Sequence, residues 1–170
     1  MANEAIPEAD MERIYLELRK IAAFHLKRRA PRASLQPTAL INETWLRLAR
    51  HQWKSRSHFM AVASTTMRNV LVDYVRARLA EKRGGEWARL SIDGGSEPEG
   101  MTFSLAQVLD VHNALERLSQ LDARKARVVE MRFFGGMDFD EIAEALNISR
   151  VTAKRDWQFS RAWLYDSLTS

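Results

Sequence analysis

The side chains that ordinarily do covalent or metal chemistry are sparse in this sequence. There is no cysteine, so disulfides, thiolate ligands and cysteine nucleophiles are excluded, and the cytosol is the compartment this composition suits. The histidines, His25, His51, His58 and His112, are scattered without an H-x-x-x-H or HExxH spacing, and no phosphate-binding glycine loop occurs. No metal, cofactor or enzymatic reaction is therefore expected. What the sequence offers instead is a row of cations. In DFDEIAEALNISRVTAKRDW, Asp138 to Trp157, the first half carries Asp138, Asp140, Glu141 and Glu144, whereas the second carries Arg150, Lys154 and Arg155 against Asp156. Arginine can read a guanine edge bidentately and lysine can neutralise a phosphate, so the second half reads as a surface for duplex DNA. A solvated basic face on an ordinary helical hairpin is the alternative.

Those cations need two short helices to position them. Asp138 followed by Glu141 forms a capping-box pattern, and Ser149 stands as an N-cap before the next helical repeat; each side-chain oxygen can accept an orphan backbone N–H. Between them Asn147 tolerates the left-handed backbone of a sharp turn, and Ala143 leaves room for close approach. Ile142, Leu146, Ile148, Ala153 and Trp157 supply a shared core, with residues 153, 157, 160 and 164 on one stripe; Trp157 and Trp163 are assigned to that core rather than to bases. The expected unit is a helix-turn-helix that presents Arg150, Val151, Thr152, Lys154, Arg155 and Gln158 to a major groove.

At 170 residues the chain allows one ordinary domain or two small ones, and 46% apolar with 28% charged residues marks a folded protein rather than a disordered one. No stretch fits a membrane span or signal peptide. Charge divides the chain unevenly. Residues 1–90 hold 17 Lys/Arg against 9 Asp/Glu, residues 91–107 hold Asp93, Glu97 and Glu99 with no base, and residues 108–170 hold 9 bases against 10 acids. The basic N-terminal part suits a polyanionic partner. Helical periodicity runs through Met11, Ile14, Tyr15, Leu18, Ile21 and Ala22, through Leu40, Ile41, Trp45 and Leu48 after Pro37, and through Phe59, Val62, Ala63, Thr66, Val70, Tyr74 and Ala77. It resumes at Leu105, Val108, Leu109, Val111, Leu115 and Leu118, and again at Ala126, Val129 and Phe133. No strand alternation occurs. The expectation is an all-α protein with a helical domain over 1–83, a flexible acidic linker over 84–104, and a helix-turn-helix domain over 105–170. The linker acids are expected to restrain the basic N-terminal domain from binding DNA indiscriminately.

Taken together, these segments resemble a bacterial RNA polymerase sigma factor of the two-domain, extracytoplasmic-function type. ALERLSQLDARKARVVEMRFFGGMDFDEIAEALNISRVTAKRDW, from Ala114, is similar to the family's C-terminal domain, which binds the upstream promoter element and the polymerase flap. LQPTALINETWLRL, from Leu35, and FMAVASTTMRNVLVDYVRARLAEKR, from Phe59, resemble the N-terminal domain, which binds the polymerase clamp and the melted downstream element. The short linker leaves no room for the extra domain of larger sigma factors. Ala39 and Asn147 stand where common members carry an acidic residue and a glycine.

The resemblance implies a promoter-specificity subunit that is not an enzyme, needs no cofactor, and binds core RNA polymerase and promoter DNA, both duplex and melted non-template strand. Leu40, Ile41, Glu43, Trp45 and Arg47 would meet or underlie the clamp. Trp53, Lys54 and Arg56, in the loop before the long third helix, and Arg68, Asn69, Asp73 and Arg76, on the face opposite its apolar stripe, would meet the downstream element. Trp53 fits a hydrophobic core equally well. An anti-sigma factor is a further partner the resemblance allows. The competing reading is a helix-turn-helix regulator that binds duplex sites alone, as a dimer.

Overall fold

The computed structural model describes residues 8–26, 37–48, 53–81 and 105–170, and within them every regular element is helical. The elements are α1 (Glu8–Leu26), α2 (Pro37–Leu48), α3 (Arg56–Glu81), α4 (Leu105–Leu121), α5 (Ala123–Phe133), α6 (Phe139–Leu146) and α7 (Arg150–Thr169). Among the described residues no helix is long and apolar enough to cross a membrane. Residues 84–104, expected to be a flexible acidic linker, lie outside them, as do His51 and Gln52 of the loop before α3.

The first three helices form because each carries apolar residues three or four apart. Ile14 and Leu18 of α1, Ile41 and Leu48 of α2, and Phe59, Ala63 and Met67 of α3 are buried together, with Met11, Tyr15 and Trp45 partly covered beside them. Pro37 opens α2, where its fixed φ is already helical and its missing N–H costs nothing. In the C-terminal half, Val111, Leu115 and Leu118 of α4 pack with Val128, Val129 and Met131 of α5, Ile142 of α6, and Ala153 and Leu164 of α7. Asp122 caps α5 by accepting the Lys125 N–H, and the Lys125 contacts hold its carboxyl below the usual range.

The long helix α3, about 39 Å at 1.5 Å per residue, joins the two groups: it packs on α2 and also on α4, α5 and α6. The periodicity of the sequence predicts one buried stripe on α3. The helix buries more than that, because Met60, Ser64, Arg68, Leu71, Val72 and Val75 are covered as well. The turn after α5 lies tight against α3. A Cβ added at Gly135 would overlap the Ser64 hydroxyl of α3 and the Met131 carbonyl, so glycine is what lets the turn sit against the helix.

Candidate nucleic-acid interface

The connection between α6 and α7 is held by its own backbone groups. Asp138 Oδ1 accepts the N–H of Asp140 and of Glu141, each at 2.9 Å, and Glu141 Oε2 accepts the Asp138 N–H at 2.9 Å, completing the capping box. Asn147 ends α6 at φ 53° and ψ 49°, and Ile148 N–H bonds back to Ala143 O at 3.0 Å. Ser149 Oγ then accepts the Thr152 N–H at 3.0 Å and opens α7. A β-branched residue at 147 would meet the steric cost of the left-handed region. Asn147→Val is expected to cost roughly 1–2 kcal/mol, visible as a lower thermal midpoint, while Asn147→Gly keeps the turn.

The inner side of α7 is fixed by Ala153, Asp156, Ser160 and Leu164, all buried. Asp156 is the polar anchor. Its carboxylate, 4% exposed, accepts Arg124 Nε at 2.6 Å and Nη2 at 3.3 Å, tying α7 to α5. Arg117 Nη2 donates to Ser167 Oγ at 2.6 Å and ties its far end to α4. The opposite side is therefore turned outward: Arg150, Val151, Lys154, Arg155 and Gln158 are exposed, and Thr152 is half-buried beside Ser149. Trp157 and Trp163 pack against the core as the sequence pattern predicts. Two features of this surface carry no sequence motif. The Phe139 ring lies under the Arg132 guanidinium at 4.7 Å and near the Lys154 ammonium at 5.8 Å, and Arg150 Nε reaches Asp140 at 3.5 Å across the turn.

In the N-terminal helices the residues named from sequence separate into three environments. Trp53 lies in the core, 9% exposed, edge-on to Phe59 at 4.8 Å, so of the two uses open to it the structure places it in packing. Lys54, Asn69, Asp73 and Arg76 are exposed. Arg56 and Arg68 are engaged instead. Arg56 pairs with Glu17 of α1 and, at 3.4 Å, with Glu141 of α6. Arg68, expected on an open polar face, is 8% exposed because α4 and α5 pack over it. Its Nη1 donates to Glu130 at 3.2 Å, its Nη2 to Glu116 at 2.5 Å, and its Nε to His112 Nδ1 at 3.1 Å. An arginine can only donate, so His112 Nδ1 must be the acceptor and the ring neutral. Burial first, and then the Arg68 charge, holds the His112 imidazole below its ordinary value.

On α2, Ile41 is wholly buried and Trp45 is half-buried between Tyr15 and Phe59, with ring centres 5.6 and 5.8 Å away. Glu43 and Arg47 are exposed; they pair at 3.1 Å, and Arg47 also reaches Asp73 of α3 at 3.6 Å. Leu40 belongs to α2, but its side chain lies outside the described residues. Leu46, which the apolar pattern does not single out, is 67% exposed on the same helix. Among the described residues no cluster of three or more His, Cys, Asp or Glu could hold a metal ion.

The arrangement offers cations and polar groups on the outer side of α7 and no cluster suited to metal chemistry among the described residues. No curated protein and no solved structure matches the chain. A family model for ECF sigma factors does match, over residues 3–170, which takes in the α6–α7 unit and the N-terminal helices together. The chain therefore belongs to the ECF sigma factor family, whose members act in transcription initiation.

Proposed function

We propose that the chain binds core RNA polymerase and directs promoter recognition and DNA melting from two surfaces, one in an N-terminal domain over 1–83 and one in a C-terminal domain over 105–170. The observation that carries the reading is the outward basic side of α7, where Arg150, Lys154 and Arg155 are exposed beside Val151 and Gln158. Cations that close together suit phosphate and guanine edges in a major groove, with Thr152 at the capped N-terminus. Lys54, Arg56, Arg68, Asn69, Asp73 and Arg76 take the downstream element and the melted non-template strand. Trp53 supports that region from beneath. Glu43 and Arg47, exposed on α2 above buried Ile41, meet the polymerase clamp with Leu40 and Trp45, and the C-terminal helices meet the flap. An anti-sigma factor would act by covering one of these surfaces.

The deciding experiment adds the purified chain to core polymerase on promoter-bearing DNA and sequences the transcript starts. Defined starts that require the chain are the expected result. Tight binding of duplex sites by a dimer without polymerase, and no transcription, would favour a separate regulator. Arg47→Glu should weaken core polymerase binding about tenfold, by placing a like charge against Glu43 and Asp73 and reversing the field offered to the clamp. Binding measured by titration of a fluorescent chain into core polymerase checks this, and an unchanged affinity would remove α2 as the clamp contact.

A further inference from the structure

One cavity lies apart from the surfaces assigned to nucleic acid. It opens between α1 and α2, has a volume of about 450 Å³, and is lined by Ala9, Met11, Glu12, Tyr15 and Trp45. Small-molecule sites ordinarily occupy about 300–1,000 Å³ and combine apolar walls with a few placed polar groups. Here the walls are largely aromatic. The Tyr15 and Trp45 rings stand at 87° with centres 5.6 Å apart, so they form a corner, and Phe59 braces the indole at 5.8 Å. Met11 adds a polarizable thioether beside them. We infer that this cavity binds an organic cation of the alkylated-ammonium class, the group that choline carries.

Charge selects the ligand. A helix N-terminus ordinarily favours an anion, because its orphan N–H groups leave a partial positive charge. The first turns of α1 instead carry Glu8, Asp10 and Glu12, which favour the opposite sign. Arg13 pairs with Asp10 at 3.9 Å, and among the described residues no cation pairs with the exposed Glu12. An aromatic face attracts a cation through its quadrupole when the charge lies within about 6 Å of the ring centre. Hydrogen bonding narrows the class. A guanidinium or a primary ammonium brings several N–H donors, and walls of Ala9, Met11 and two rings leave most of them unmet. An alkylated ammonium has none to satisfy. Its methyl groups meet Met11, Tyr15 and Trp45, and its charge is balanced by Glu12.

The test titrates the full chain, isotope-labelled at nitrogen, with choline chloride and follows the Trp45 indole N–H resonance, assigned by its disappearance in Trp45→Phe. Sodium chloride at the same ionic strength controls for screening. The neutral alcohol in which carbon replaces the charged nitrogen of choline controls for shape. The expected result is a saturable Trp45 shift with choline at about millimolar concentration, and about tenfold weaker binding of the alcohol. Glu12→Gln should weaken choline about fivefold by removing the opposing charge. Tyr15→Leu, which keeps an apolar wall but removes a ring, should weaken it at least as much. If Tyr15→Leu fails to fold, Glu12→Gln, at an exposed position, decides together with the alcohol. No saturable shift with choline, an equal shift with sodium chloride, equal binding of the alcohol, or unchanged affinity in Glu12→Gln would overturn the inference. Neither polymerase nor DNA enters the assay, so its outcome is independent of the promoter reading.

Discussion

Replacing Trp53 with alanine is expected to cost about 3–5 kcal/mol of stability, the usual loss when a large buried aromatic is truncated. Trp53 precedes α3 and is 9% exposed; its ring meets Phe59 edge-on at 4.8 Å and His58 at 5.7 Å, and Phe59 in turn supports Trp45. Truncation would open a cavity beneath both the α2 surface and the segment in which Lys54 leads into α3 at Arg56. Urea unfolding of the full chain checks this, with Trp53→Phe avoiding most of the loss because a ring still fills the site. A Trp53→Ala chain that unfolds at the original midpoint yet no longer holds a melted strand would make the indole a base contact.

The second large effect concerns two neighbouring cations on α7. Arg155 has a planar fork that can hold a guanine edge bidentately, whereas Lys154 is a point charge suited to phosphate. Both are exposed, and Lys154 leans toward the Phe139 ring at 5.8 Å, which keeps it near the start of α6. Arg155→Ala should cost about 1–3 kcal/mol of upstream-element binding and relax preference at one base pair. Lys154→Ala should weaken all sequences alike and lower the salt slope by about one. Titration of holoenzyme against a panel of upstream-element variants separates the two. Uniform weakening by Arg155→Ala would reassign it to phosphate and leave Arg150 and Thr152 as readers of bases.

What was legible in the sequence was what depends on near neighbours. The Asp138–Glu141 box, the left-handed Asn147 and the Ser149 cap each involve residues no more than a few positions apart, and all are present as the local pattern predicts. So is the stripe through Ala153, Trp157, Ser160 and Leu164, because a helix buries what its period aligns. The environment of Arg68 was not legible. Its partners stand 44 to 62 positions away, and a cation among apolar neighbours reads as solvent-facing until an acid from elsewhere is known to reach it. Trp53 illustrates a different limit: a single aromatic in a short loop has no period, so only the position of Phe59 decides its use. Leu46 fails in the opposite sense, an apolar residue of α2 that packing leaves outside.

The close approach at Gly135 gives the molecule a gauge. Because that turn meets the Ser64 hydroxyl with no room for a methyl group, the distance between α3 and the helices that cover it is set by the smallest side chain available. Any larger residue there acts as a wedge between α3 and the turn that follows α5. Side-chain volume at this one position therefore sets how closely the turn after α5 can lie on α3, while the surfaces proposed for DNA and polymerase, on α7 and α2, keep their chemistry unchanged.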